Sequence, residues 1–146
     1  MRIEFTVFGL PVAQPRQRHR VVQMGGRAIA TNYTPGNHPS RDFKVACQTA
    51  ANVAAHGEDG PVPLLTGPLK LTLTFVFPRP KSAPKKQPGR LPKITKPDGD
   101  NLAKCVMDGL NHVVWHDDSQ IYSLVVTKLV AAVDETPRTD VVIETL

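Results

Sequence analysis

Leu69-Lys70-Leu71-Thr72-Leu73-Thr74-Phe75-Val76-Phe77 places large apolar side chains at every second position, with Lys70, Thr72 and Thr74 between them. Successive strand side chains point to opposite faces, so the stretch predicts a strand over 70–77 with one face in a core. Towards the N-terminus, Ile3, Phe5 and Val7 alternate with Glu4 and Thr6, a second strand that Gly9, Pro11 and Pro15 end. Val21–Gln23 and Ala28–Tyr33 flank Met24-Gly25-Gly26-Arg27, a hairpin with a glycine turn, and Thr34-Pro35-Gly36 breaks the chain again. Ser40 can cap a helix running to about Ala55, with Phe43, Ala46, Cys47, Ala50 and Ala54 on one stripe. The segment 57–68 reads as loop. Towards the C-terminus, Ile121–Val133 reads as a strand, 134–138 as a turn, and Asp140–Thr145 as a last strand. This order predicts an α+β fold: a small mixed β-sheet with two helices packed on it, in a single domain spanning 1–146.

The second helix follows from Lys96-Pro97-Asp98-Gly99-Asp100-Asn101-Leu102-Ala103-Lys104. From Asn101 onward Leu102, Val106, Leu110 and Val113 repeat at helical spacing, so about three turns of helix begin there, with Asp100 as N-cap. Asp98 and Asp100, two apart in an extended lead-in, would point the same way and converge on one divalent cation. Lys104 is one turn up from Asp100, within reach of a phosphate at that cation. Beyond the turn at Val114-Trp115-His116 come Asp117 and Asp118, and strand geometry admits one of the two to the same site. Three carboxylates and a lysine make a hard, oxygen-rich pocket suited to Mg²⁺, with Mn²⁺ as a substitute. The chemistry such a pocket serves is phosphodiester hydrolysis. Asp108, about 12 Å along the helix from Asp100 at roughly 1.5 Å per residue, falls outside the ligand set as a partner for Lys104. An EF-hand is excluded, because Ala103 occupies the position where that loop needs glycine.

The charge distribution points to nucleic acid. The chain carries a formal net charge of +5 and a pI of about 9.5, and basic clusters flank the acidic centre. One is Arg16, Arg18 and Arg20. The other is a flexible basic loop at about 78–95, holding Arg79, Lys81, Lys85, Lys86, Arg90 and Lys93, no acid, and five prolines. So much proline argues against both helix and strand. With Lys96, these side chains are the candidate DNA contacts. Cys47 and Cys105 form no C-x-x-C pair and no zinc pattern, and read as buried reduced thiols of a cytoplasmic, nucleoid-associated protein. The alternating Met1–Phe5 stretch is not a signal peptide, and no apolar run reaches membrane length.

Lys96-Pro-Asp-x-Asp-Asn-Leu-x-Lys104, then Asp108-x-Leu110, then Asp117-Asp-x-Gln120-Ile121, resembles the RusA family of Holliday junction resolvases. Gly9-x-Pro11 with Arg16-x-Arg18, Tyr33-Thr-Pro35 and Lys128 extend the resemblance along the chain. It implies a RusA-like fold and a homodimeric, Mg²⁺-dependent endonuclease that cuts four-way DNA junctions in recombination and repair. It also implies metal-binding carboxylates at Asp98, Asp100 and Asp118, with Asp117 as the alternative, and a catalytic lysine at Lys104. The turn between Leu110 and Asp117 departs from the family in lacking the glycine often seen there. Two other readings remain at this stage: a non-catalytic basic DNA-binding module, and a nuclease for flaps or other branched DNA.

Overall fold

The computed structural model describes residues 1–15, 18–33, 36–56, 60 and 63–146, with the backbone alone at 18–19 and 31–33. Its main element is a five-stranded mixed sheet in the order β1-β7-β4-β6-β5. The strands are β1 (Arg2–Phe8), β4 (Leu69–Phe77), β5 (Leu91–Pro92), β6 (Ile121–Val130) and β7 (Arg138–Thr145). β4 is central, antiparallel to β7 and parallel to β6. Parallel neighbours need a crossover, and α2 (Gly99–Leu110) supplies it between β4 and β6. The expected α+β architecture is what forms.

One face of the sheet carries the core. Leu69, Leu71, Leu73 and Phe75 of β4 are fully buried, each stabilising the fold by about 2 kcal/mol. Ile3, Phe5 and Val7 of β1 and Val141 and Ile143 of β7 extend the same face. Two helices cover it. From α1 (Ser40–Ala55) come Phe43, Cys47 and Ala51; from α2 come Leu102, Val106 and Leu110. The stripe of α1 continues through Ala51 and Ala55, whereas Ala54, expected on it, is exposed. The helices meet closely at Gly109, where a Cβ would stand 3.3 Å from Lys44, and Gln48 Nε2 donates to the Gly109 carbonyl at 2.9 Å. Cys47 and Cys105 are buried and free, and burial raises their pKa values to about 12 and about 11. Among the described residues, no helix is long and apolar enough to cross a membrane.

Strands β2 (Arg18–Met24) and β3 (Arg27–Tyr33) form a separate two-stranded ribbon. Gly25 and Gly26 turn it with φ of 57° and 80°, values that glycine adopts without steric cost. The strands are longer than the sequence suggested, and Arg18–Arg20 belong to β2 rather than to a loop.

Three further expectations need correction. Helix α2 starts earlier: Asp98 is its N-cap, in extended conformation, and Asp100 lies in the first turn. Asp98 and Asp100 are therefore not on one face of a single extended segment. The segment 78–95 includes a strand, since Leu91 and Pro92 pair with Val130 and Leu129 at the sheet edge. A proline is tolerated there because an edge strand can leave one N–H position unused. β6 ends at Val130 rather than Val133.

Candidate active site

Helix and strand periodicity bring the site together. Along α2, Asp100, Ala103, Lys104, Met107 and Asp108 follow the i, i+3, i+4, i+7, i+8 pattern of one helix face. On β6, Leu124, Val126 and Lys128 share one strand face. These two faces, with Lys93, Gly99 and Asp118, line a cavity of about 650 Å³. The first turn of α2 opens into it, so the positive end of the helix dipole adds to the lysines in favouring an anion.

Asp118 is set in place from below. The turn after α2 carries His112 at φ 61°, a left-handed conformation that the absent glycine would adopt more readily. Trp115 is fully buried, and its Nε1 donates to Asp118 Oδ1 at 2.8 Å. That bond orients the carboxylate at one oxygen. The flanking turn is tied down by Gln120, whose Oε1 accepts from the backbone N–H of His116 and Asp117, at 2.8 and 2.9 Å. Its Nε2 donates to the carbonyls of Leu65 and Gly67. Asp117 points elsewhere: it caps the one-turn 3-10 helix Asp118–Gln120 by accepting from Ser119 N–H at 2.8 Å, which holds its carboxyl below the ordinary range. Of the two adjacent aspartates, Asp118 is the one that lines the cavity.

Lys128 anchors the lead-in to α2. Its Nζ donates to the carbonyls of Thr95 and Pro97, at 2.8 and 2.7 Å, and its own carbonyl accepts from Lys93 N–H at 3.0 Å. Lys93 lies over the Phe77 ring, 4.7 Å from the centroid, and its Nζ donates to Thr95 Oγ1. The backbone leading to Asp98 is thus held by the strand across which the cavity opens.

The expected residues divide as follows. Asp100, Lys104 and Asp118 line the cavity together, and Lys104 pairs with Asp108 at 3.6 Å. Asp98 is exposed at the helix N-cap with no side-chain cap bond, and is not among the lining residues. Among the described residues, no three His, Cys, Asp or Glu side chains form a group that could hold an ion. Mg²⁺ does not require such a cage, since it is commonly held by one or two carboxylates together with waters and substrate phosphate. Asp100 and Asp118 on one cavity fit that pattern.

Of the candidate DNA contacts, Arg16 and the Arg18 side chain lie outside the described residues. Gln14, just before them, donates its N–H to the Asn101 carbonyl at 2.9 Å, so that arm of the chain departs from the first turn of α2. Arg20, Lys81, Lys85, Lys86 and Lys96 are exposed. Arg79 and Arg90 are used internally. The Arg79 guanidinium donates to the carbonyls of Pro84, Gln87, Gly89 and Ala131, and the loop folds around it. Arg90 makes a bidentate pair with Glu135 at 2.7 to 3.0 Å, which with the Ala132 N–H lowers the Glu135 pKa to about 2. Trp115 and Lys93 are parts of the site that sequence reasoning did not place there. Lys128 was noted only for its resemblance, although a lone lysine inside an apolar strand was a signal that it has a partner.

The comparisons agree with this geometry. The chain matches the endodeoxyribonuclease RusA family over residues 9–144 and belongs to that family. The class of protein is therefore a DNA endonuclease. It is also 37% identical over 148 residues to the uncharacterized protein YqaN of Bacillus subtilis (strain 168), covering 97% of this chain and 94% of that one.

Proposed function

We propose that the protein is a Mg²⁺-dependent, structure-selective endonuclease that resolves four-way DNA junctions, acting as a homodimer in recombination and repair. The observation that carries this reading is the convergence of Asp100, Asp118 and Lys104 on one cavity, in a chain of the RusA family. Asp100 and Asp118 would hold Mg²⁺, with Asp98 at the rim as a further ligand. When bound, the ion supplies an activated water and neutralises charge on the phosphate. Lys104 stabilises the negative charge that builds on the phosphorane-like transition state and the departing 3′ or 5′ oxygen. Trp115 keeps Asp118 oriented, and Asp108 positions Lys104. The helix N-terminus and the exposed Lys85, Lys86 and Lys96 attract the polyanionic backbone. Two strands of a junction are cut by two copies of one small site, which a two-fold dimer provides.

The test is a panel of end-labelled substrates — four-way junction, flap, splayed arm and linear duplex — incubated with Mg²⁺ or with EDTA. Symmetric nicks on the junction, Mg²⁺-dependent and faster than on the other substrates, are expected. Faster cutting of flaps would replace the resolvase reading, and binding without any cutting would replace the nuclease reading.

A further inference from the structure

The active-site cavity is larger and more apolar than phosphodiester hydrolysis requires. A phosphate, one ion and its waters occupy roughly 200 Å³, at about 30 Å³ per water-sized group. The cavity holds about 650 Å³. Its charged groups are Asp100, Lys104, Asp108, Asp118, Lys93 and Lys128. Beside them is a continuous aliphatic wall, Ala103 and Met107 from α2 and Leu124 and Val126 from β6. Leu124 is 45% exposed although it faces this wall. Nothing in a DNA backbone gains from such a surface, because phosphates are repelled by aliphatic carbon and their hydration is lost against it. The apolar surfaces of DNA are the faces of its bases, and in a stacked duplex both faces are covered. Only an unstacked base can lie on Leu124, Val126 and Met107.

We propose that this wall is a seat for one unpaired nucleobase, belonging to a nucleotide next to the scissile phosphate. The inference rests on the nuclease reading above and adds to it how a branched substrate is told from a duplex. Extruding a base costs least where pairing is already broken. A branch point offers such a base and an intact duplex does not. The wall carries no hydrogen-bonding group, so the seat is tolerant of base identity, as apolar base platforms are.

The experiment uses the full chain and a four-way junction, with two readouts. In the first, 2-aminopurine replaces single bases on either side of the cut phosphate, and Ca²⁺ replaces Mg²⁺ to hold an uncut complex. Wild type should raise the fluorescence at one flanking position, and Leu124→Ser, at an exposed site that tolerates the change, should largely abolish that rise while still binding junction. In the second, an abasic residue at that position should slow Mg²⁺-dependent cutting by wild type about fivefold to tenfold, as expected for one base face lost from aliphatic carbon. Leu124→Ser should be slowed by a similar factor on the normal junction and hardly further on the abasic one, because both changes remove the same contact. Unchanged fluorescence at every flanking position overturns the seat. So does a rise that persists in Leu124→Ser, or an abasic junction cut as fast as the normal one. Each of these leaves the nuclease reading intact if wild type still cuts the junction. Failure of wild type to cut any junction removes both.

Discussion

Replacing Lys128 by methionine would keep most of the aliphatic stem and remove the two hydrogen bonds that hold the lead-in to α2. Lys128 Nζ reaches the carbonyls of Thr95 and Pro97, the latter partly buried. Hydrogen bonds from a charged donor contribute about 1.5–3 kcal/mol each, towards the low end where water can substitute. Solvent can replace the donor at Thr95 more readily than at Pro97, so the sum should be about 3 kcal/mol. For a chain of this size roughly 2–4 °C of melting temperature goes with each kcal/mol, which predicts a fall of about 6–12 °C. The released segment carries Asp98 and leads directly into the turn that holds Asp100. Junction cutting under single-turnover conditions should therefore drop by more than junction affinity does. Thermal melting by circular dichroism, with labelled-junction kinetics on the same preparation, measures both. A variant that melts within a degree of wild type and cuts at an unchanged rate would refute the anchoring role. A variant with normal stability but slow cutting would instead make Lys128 a group that meets the phosphate.

Three other outcomes follow from the same geometry. Lys104→Ala should lose on the order of 10²-fold in single-turnover rate, as for removal of a preorganised charge stabiliser, with Mg²⁺ affinity unchanged in a metal titration. Glu135 has a pKa lowered to about 2 from 4.5, chiefly by Arg90, so its pairing stabilises the fold fully above pH 4.5 and is lost as pH falls towards 2. Melting temperature against pH should be less steep over that window in Arg90→Gln, and parallel curves would show that the pair contributes nothing. Neutralising Lys85 and Lys86 together should flatten the slope of log affinity against log salt by up to about 2, equally for all DNA substrates, and an unchanged slope would move the backbone contacts to the arm at Arg16, Arg18 and Arg20.

Much of this architecture is legible from local pattern. The alternation in Leu69–Phe77 and the glycines at 25–26 marked their elements because the cause lies within the stretch itself. The start of α2 was less legible. Asp98 and Asp100 are both good caps, and the sequence alone does not say which residue leaves the extended region first. That two-residue shift decides whether the pair shares a face. The basic segment was misread for a different reason. Arg79 serves carbonyls up to 52 residues away, and β5 exists only because β6 offers an edge. Neither partner is visible in a window of prolines and lysines. Likewise Asp118 could not be preferred over Asp117 from spacing; Trp115 settles it through a side-chain bond to Asp118, while Ser119 engages Asp117.

The central claim is that the cavity between α2 and β6 is where DNA is cut, through Asp100 and Asp118. The most direct measurement compares wild type, Asp100→Asn and Asp118→Asn on one labelled four-way junction, recording binding in Ca²⁺ and single-turnover cutting in Mg²⁺. Asparagine keeps the size of each side chain and, at 118, an oxygen for Trp115. Both variants should bind junction at least as well as wild type, since a charge that repels phosphate is gone, and neither should cut it. Cutting by either variant at the wild-type rate would contradict the account.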